Sequence, residues 1–210
     1  MKYEKIKASC QTLTSEFDKI PSERKSILEK ITTYLESRMK DSKPVQLVYI
    51  CTHNSRRSHF GQIWAMVAAA YYDQKGVKSF SGGTEATAFN LNAINALKRL
   101  GFDISVIKEG NNPVYQVTFG DGETPVECFS KVYDHEVNPQ SGFAAIMTCG
   151  DAEANCPFIP AVDLRIATTY DDPKVSDNTP MQDATYDERC KQVGREVLYV
   201  FSKLNTPTHE

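Results

Sequence analysis

Hydrophobic residues recur along the chain at helical spacing in some segments and as short continuous runs in others. Between residues 22 and 39 the apolar side chains fall on one helical face, and Pro21 and Pro44 bound this segment. Short runs rich in β-branched and aromatic residues are typical of buried strands. The pattern predicts four such strands, at residues 45–50, 77–81, 143–148 and 164–169.

Three further helices are predicted from apolar residues spaced at i, i+3, i+4 and i+7. The first covers residues 60–71, and the second extends from its cap Asn90 to Gly101. The last helix is predicted to open with a capping box formed by Thr185 and Glu188.

Strands that alternate with helices predict an α/β fold, with three layers (α/β/α) around a mainly parallel four-stranded sheet. This main domain is expected to cover residues 44–210. Two additions to the basic fold are expected, one before the main domain and one inserted within it. Residues 1–43 form a helical extension packed on it, because about 40 residues alone would bury too little surface. Residues 114–129 form an inserted hairpin around a Gly-Asp-Gly turn.

Composition and charge narrow the class of function. Acidic residues number 27 and basic residues 24, and a net charge of −3 gives no basic footprint for nucleic acid. The longest apolar run, residues 63–72, is far shorter than the roughly 20 residues that span a bilayer. The first residues carry no signal-peptide pattern. We therefore expect a cytoplasmic protein with no nucleic-acid or membrane partner.

The loop after the first predicted strand has the features of an anion site. Ligands of parallel sheets bind beyond the carboxyl ends of the strands. Backbone N–H groups and the positive end of a helix dipole would converge there on a tetrahedral oxyanion, and Arg57 adds a planar pair of donors. The positive charge of Arg57 and of the helix dipole is also expected to favour the thiolate of Cys51, and Ser58 can hydrogen-bond its sulfur. The expected oxyanion-binding residues are consecutive: Thr52, His53, Asn54, Ser55, Arg56, Arg57 and Ser58.

A thiolate beneath a bound oxyanion is placed for in-line attack on its central atom. The Cys-x5-Arg spacing by itself is equally compatible with an ordinary loop at the start of a helix. Asp172 follows the fourth predicted strand at the same edge of the sheet, where a carboxylic acid could protonate a leaving oxygen. The sequence Asp171-Asp172-Pro173 is also typical of a simple turn.

Together, Cys51-x5-Arg57-Ser58 and Asp172-Pro173 resemble the motifs of the low-molecular-weight protein tyrosine phosphatase superfamily, over about residues 45–204. The resemblance implies that Cys51 is the nucleophile, that Arg57 and the loop amides bind the anion, and that Asp172 is the general acid. Asn54 matches the asparagine that stiffens this family's loop.

Cys149 and Cys156 resemble the redox segment of thioredoxin-coupled arsenate reductases, a branch of the same superfamily. That resemblance implies a relay: Cys51 attacks arsenate, Cys149 attacks Cys51 and releases arsenite, and Cys156 forms a disulfide with Cys149 that thioredoxin reduces. If residues 150–156 are helical, the two cysteines lie about 10 Å apart. A disulfide needs Cα atoms within ~7 Å, so the segment would have to unwind.

Other interpretations of these cysteines remain open. The pair could be unrelated thiols or zinc ligands, but zinc prefers four ligands, and no histidine lies at a ligand-like spacing, so we expect no metal and no tightly bound cofactor. A phosphotyrosine phosphatase of the same fold would need Cys51, Arg57 and Asp172 but neither Cys149 nor Cys156. A redox-sensing or phosphate-binding module without turnover is a third possibility.

Some residues depart from the reductase pattern or have no place in it. His53 stands where the family usually has glycine, and Arg56 where many members have another cysteine. Arg56 would either strengthen anion binding or point to solvent. Cys128 and Cys190 are expected to be buried, unreactive thiols, and Cys10 is assigned no role.

Overall fold

The chain folds as alternating strands and helices, seen in a computed structural model that describes residues 2–155 and 158–204. The helices are α1 (Lys2–Thr14), α2 (Ser22–Lys40), α3 (Arg57–Tyr71), α4 (Leu91–Leu100), α5 (Gly150–Asn155) and α6 (Gln182–Ser202). The strands are β1 (Val45–Cys51), β2 (Val77–Gly83), β3 (Asp103–Lys108), β4 (Val114–Thr118), β5 (Val126–Cys128), β6 (Phe143–Met147) and β7 (Val162–Ala167). Short 3-10 helices cover Phe17–Lys19 and Pro173–Ser176.

The main sheet has four strands in the order β2-β1-β6-β7, and every neighbouring pair is parallel. This confirms the predicted α/β fold with a parallel four-stranded sheet. The fourth strand lies two residues earlier than predicted, since Val162 already pairs with Phe143. Because β1 and β6 are neighbours in the centre, the segments that follow Cys51 and Met147 meet at one edge of the sheet.

The predicted hairpin is present as β4 and β5, which pair antiparallel. It belongs to a second sheet of order β3-β4-β5, and the sequence pattern did not predict β3. In β3 only Ile104 is buried, while its other residues are exposed. A strand with so little apolar surface carries no clear period of two.

Successive residues of the central strands face two different apolar clusters, as a pleated strand requires. Leu47 and Tyr49 of β1 lie in the larger cluster, which α1, α2, α3, α4 and α6 cover. Val48 and Ile50 lie in a smaller cluster on the opposite face, which Ala152 of α5 also joins. The catalytic candidates therefore stand at the edge of a sheet that is packed on both faces.

The two N-terminal helices share the larger cluster with α6. Ile6 of α1 and Leu28 of α2 are both almost fully buried in it. Arg24 of α2 also donates from Nε and Nη2 to one carboxylate oxygen of Glu196 in α6, at 2.9 and 2.8 Å. The division into an extension (residues 1–43) and a main domain (44–210) stays a prediction.

The predicted start of the last helix is wrong. Helix α6 begins at Gln182, three residues before Thr185. The Gln182 side chain accepts a hydrogen bond from the backbone N–H of Asn178 at 2.9 Å, which fixes the entry of the chain. Thr185 is already inside the helix and donates its hydroxyl to the carbonyl of Met181 at 2.9 Å. Among the described residues, no helix is long and apolar enough to cross a membrane.

Candidate active site

The segment from residue 51 to residue 58, here called the oxyanion loop, connects β1 to α3. Cys51 is the last residue of β1, while Arg57 and Ser58 belong to the first turn of α3. The loop is thus held at both ends by regular structure. Its first residue is buried in the sheet core, and its last two lie at the N-terminus of a 15-residue helix.

Cys51 and Ser58 face each other across the loop, with Sγ 3.1 Å from Oγ. The Ser58 hydroxyl oxygen also accepts a hydrogen bond from Nδ2 of Asn54 at 2.8 Å. Because Asn54 occupies a lone pair of that oxygen, the hydroxyl proton is available to the sulfur.

Asn54 fixes the middle of the loop. It is fully buried and has a φ of +44°, in the left-handed region that asparagine tolerates better than most residues. Its Oδ1 accepts from the backbone N–H of Lys131 at 2.9 Å, while its amide donates to Ser58. The side chain therefore ties the loop both to α3 and to the segment after β5.

The loop carbonyls bond to the surrounding segments. The carbonyls of Cys51 and Thr52 accept from the N–H groups of Thr84 and Glu85, at 3.1 and 2.8 Å. The carbonyl of Ser55 accepts from the N–H of Asn90 at 2.9 Å. In a trans peptide the N–H points opposite to the preceding carbonyl, so these bonds turn the following amides toward the inside of the loop. Amides turned inward in this way are the donors that the predicted oxyanion site requires.

Arg57 and Asp172 are brought together, although they are distant in sequence. The Nη2 group of Arg57 donates to Oδ2 of Asp172 at 2.6 Å, and Nη1 donates to the carbonyl of Tyr170 at 2.8 Å. Asp172 also caps the 3-10 helix Pro173–Ser176, since its Oδ1 accepts from the N–H of Lys174 at 3.0 Å. The residue is therefore both a turn-forming aspartate and a carboxylate at the loop.

Arg56 does not point to solvent, which corrects one of the two alternatives above. Its Nε donates to the hydroxyl of Tyr186 at 2.8 Å, and its Nη2 lies 3.6 Å from Asp177. Tyr186 in turn donates to Asp177 at 2.7 Å. The guanidinium is thus used to hold α6 and the segment before it against the loop. His53 is half-exposed, with Nε2 3.7 Å from the carboxylate of Glu85.

Cys149 lies two residues after the end of β6 and is almost fully buried. Its Sγ is 3.4 Å from the hydroxyl of Thr52, the residue next to Cys51, and accepts from the N–H of Ala152 at 3.3 Å. The second cysteine therefore contacts the oxyanion loop. Residues 150–155 are helical, as the spacing argument supposed, and Cys156 lies outside the described residues.

The remaining cysteines are buried away from this site. Burial raises the pKa of Cys10, Cys128 and Cys190 to about 12 in each case. The interpretation of Cys128 and Cys190 as buried thiols is confirmed, and Cys10 has the same character. In the described part of the chain no group of three or more His, Cys, Asp or Glu side chains is arranged to hold a metal.

Comparison with known proteins identifies the family, although no family model matches the chain. Arsenate reductase 2 of Staphylococcus epidermidis is 31% identical over 127 residues, which are 60% of this chain and 77% of that protein. The arsenate reductase of Bacillus subtilis is 27% identical over 145 residues, 69% of this chain and 86% of that protein. The chain belongs to the arsenate reductase family.

The fold of a solved structure agrees with this assignment. An arsenate reductase in a phosphate-binding state superposes with a TM-score of 0.51 at 15% identity, covering 77% of this chain and 99% of its own. The arsenate reductase family lies within the low-molecular-weight phosphatase superfamily, so the resemblance inferred from the motifs is confirmed. The roles of individual residues in this member of the family remain predictions.

Three contributors to the site of this arsenate reductase family member have no motif in the sequence. A Cβ on Gly83 would lie 2.6 Å from the Thr52 carbonyl and 2.7 Å from the Asn54 nitrogen, so β2 and the loop approach closely only because this residue is glycine. Two consecutive glycines at the end of a predicted strand are the signal that could have revealed it. Lys131 and Tyr186 act through long-range contacts that leave no local pattern.

Proposed function

We propose that this protein is an arsenate reductase that uses Cys51, Cys149 and Cys156 as a thiol relay, with thioredoxin as the electron donor. The observation that carries the proposal is the contact between Cys149 and the oxyanion loop: its sulfur lies 3.4 Å from Thr52, next to the nucleophile. A phosphoryl-transfer enzyme does not need a thiol there. The names of the relatives support the same activity.

In the first step, the loop amides and Arg57 hold the oxygens of arsenate, and the Cys51 thiolate attacks the arsenic atom. A sulfur–arsenic bond forms as an oxygen leaves. Asp172, at the edge of the loop, supplies the proton that lets this oxygen depart as water. Arg57 touches Asp172, so the anion and the acid are positioned by one guanidinium.

In the second step, the Cys149 thiolate attacks the sulfur of Cys51. The electron pair of the sulfur–arsenic bond passes to arsenic, which becomes As(III) and leaves as arsenite, while a Cys51–Cys149 disulfide forms. Cys156 then attacks Cys149 and releases Cys51 as a thiolate. The dithiol of thioredoxin reduces the Cys149–Cys156 disulfide and restores the enzyme.

The second half of this relay requires α5 to open, because a helix that continued to residue 156 would keep the two cysteines too far apart. Arg165 holds α5 by donating to the carbonyl of Glu153 at 2.8 Å, and it also pairs with the Glu153 carboxylate at 3.2 Å. Phe158, two positions after Cys156 in the sequence, is 84% exposed and offers an apolar contact. We propose that thioredoxin binds there, and that the protein works in the cytoplasm, where such thiols stay reduced.

A low-molecular-weight phosphatase activity is the second candidate, and one observation favours it. The contacts among Cys51, Ser58, Arg57 and Asp172 already supply a nucleophile, an anion clamp and an acid. Hydrolysis of a phosphate monoester through a cysteinyl-phosphate needs nothing more from the chain.

Parallel assays of arsenate reduction and aryl phosphate hydrolysis separate the two activities. Arsenate turnover is followed as NADPH oxidation with thioredoxin and thioredoxin reductase, and hydrolysis is followed with p-nitrophenyl phosphate. We expect Cys149→Ser to abolish arsenate turnover and to retain most hydrolysis, whereas Cys10→Ala, at a buried thiol outside the loop, retains both. Hydrolysis without any arsenate turnover by the native protein would reject the reductase.

A further inference from the structure

A second cavity lies outside the oxyanion loop, between β2, α3 and the end of the inserted hairpin. Its volume is about 330 Å³. Its walls are mostly apolar and aromatic: Met66, Phe80, Pro125, Val126, Phe129 and Val137. Cavities of this size that combine apolar walls with a few polar groups are typical of small-molecule sites.

Lys131 supplies a positive charge in this cavity. The side chain is only 4% exposed, and its Nζ lies 3.4 Å from the Phe129 carbonyl and 4.5 Å from the centre of the Phe129 ring. In the described part of the chain no carboxylate forms an ion pair with this ammonium group, and Glu127 attracts it only from a longer distance. Burial lowers the pKa of Lys131 to about 8, so at neutral pH the group is still mostly protonated. A desolvated cation with weak partners favours an anionic ligand.

Ser79 adds a second polar group to the wall. It is buried, and its hydroxyl has no hydrogen-bond partner among the described residues. A buried hydroxyl without a partner is unfavourable, and a ligand oxygen would satisfy it. Lys78 and Glu127 also line the cavity, and both side chains are exposed. The charges of Lys78 and Glu127 cancel, so Lys131 gives the cavity a net charge of about +1. A single positive charge suits a monoanion better than a dianion.

We propose that this cavity is a binding site for a small organic monocarboxylate with an apolar, preferably aromatic, body. The carboxylate pairs with Lys131 and accepts a hydrogen bond from Ser79, while the body packs between Phe80 and Phe129. The inserted hairpin, which provides Val126 and Phe129, then forms one wall of a ligand site. Inorganic dianions such as arsenate and phosphate lack the apolar body and bind at the oxyanion loop instead.

The site is connected to the oxyanion loop through the backbone of Lys131. Its N–H donates to Asn54 at 2.9 Å, and its carbonyl accepts from the N–H of Gly83 at 2.9 Å. Lys131 therefore serves both sites: its side chain would bind the carboxylate, and its main chain holds the middle of the oxyanion loop. The two anion sites are separate in their lining residues but share this one structural link.

Calorimetric titration of the full chain tests the proposal with 3-phenylpropionate and its neutral analogue 3-phenylpropanamide. Saturating phosphate is present to occupy the oxyanion loop. We expect the carboxylate to bind at least tenfold more tightly than the amide, and Lys131→Met to reduce its affinity to that of the amide. Ser79→Ala should weaken the carboxylate severalfold, and Lys98→Met, at an exposed lysine of α4, should leave it unchanged.

The comparison of acid with amide uses the native protein, so the test holds even if Lys131→Met folds poorly. Equal affinity for the two compounds, or no binding of either, would overturn the proposal. So would binding of the carboxylate only in a parallel titration without phosphate, since the probe would then occupy the oxyanion loop. None of these outcomes depends on whether the protein reduces arsenate.

Discussion

Arg57 and Asp172 are joined by a hydrogen bond of 2.6 Å between the guanidinium and the carboxylate. The two residues are 115 positions apart, and the sheet order brings them together: Arg57 follows the central strand β1, and Asp172 follows the edge strand β7. The same guanidinium also reaches the carbonyl of Tyr170. It therefore fixes the position of residues 170–172, here called the acid segment, relative to the oxyanion loop.

Replacement of Arg57 by lysine tests this bridging role. An ammonium group cannot make two parallel contacts with an anion while also contacting Asp172 and Tyr170. We expect Arg57→Lys to lower kcat/KM for both arsenate and aryl phosphate by about 10²–10³-fold, the range typical of a lost oxyanion contact. Arg99→Lys, at an arginine of α4 that pairs with Asp187 and with no residue of the oxyanion loop, serves as the control and should retain native rates. Native rates in Arg57→Lys would place the anion elsewhere.

Asn54 allows the backbone and side-chain contributions to loop geometry to be separated. Asn54→Gly keeps the left-handed φ accessible but removes the bonds to Ser58 and Lys131, whereas Asn54→Ala loses both features. We expect both variants to be less active than native, with Asn54→Ala the less stable by about 1 kcal/mol. Steady-state kinetics and urea unfolding provide the two readouts. Equal stability of the two variants would mean that the backbone conformation at residue 54 is not constrained.

The parts of the site that sequence alone could predict are those encoded locally. The Cys51-x5-Arg57 spacing lies within one strand–loop–helix unit, so its geometry follows from short-range rules. The position of Asp172 near this loop could be predicted from topology, because parallel strands place their carboxyl ends at one edge of the sheet. The partner of Arg56 could not be predicted, since Tyr186 lies 130 residues away and its contact depends on how α6 packs. The predicted start of α6 was also wrong. The Thr185–Glu188 pattern fits a capping box, but the helix already begins at Gln182.

A buried ion pair links the N-terminal helices to the acid segment. Glu196 accepts from Arg24 and from the Tyr170 hydroxyl, and its side chain is only 4% exposed. We expect Glu196→Gln to lower the free energy of unfolding by about 3 kcal/mol, because removal of one partner leaves a buried charge uncompensated. Glu16→Gln breaks a more exposed pair with Arg195 and should cost less than about 1 kcal/mol. Equal losses in urea unfolding would contradict a special role for the buried pair.

Stability should fall as the pH rises above about 9, partly because of the buried thiols. Burial raises the pKa of Cys190 from 9.0 to about 12. Above pH 9 the unfolded chain releases this proton while the native protein retains it, so the unfolded state is favoured by about 1.4 kcal/mol per pH unit. Between pH 8 and pH 10, Cys190→Ala should therefore lose about 1 kcal/mol less than native in urea unfolding. The opposite effect of Lys131, whose pKa is lowered to about 8, is common to both proteins and cancels. The same pH dependence in both would show that Cys190 ionises freely in the native state.

The order of thiol attack can be read from the disulfide that remains when the relay is interrupted. In Cys156→Ser the third thiol is missing, so one turnover with arsenate should stop at the Cys51–Cys149 bond. We expect peptide mapping by mass spectrometry without reductant to find that cross-link in the variant, and the Cys149–Cys156 bond in the native protein.

The control for this trapping experiment is phosphate in place of arsenate, because phosphate accepts no electrons from a thiol and should leave every cysteine reduced. A cross-link that forms with phosphate would report air oxidation rather than turnover.

The contact of Cys149 with Thr52 makes a second test available, since Thr52→Val retains the side-chain volume but removes the hydroxyl 3.4 Å from the sulfur. If this hydroxyl holds Cys149 beside the loop, the Thr52→Val variant should form the Cys51–Cys149 bond severalfold more slowly. A bond between Cys51 and Cys156 in Cys149→Ser, formed at the native rate, would show that the relay bypasses Cys149.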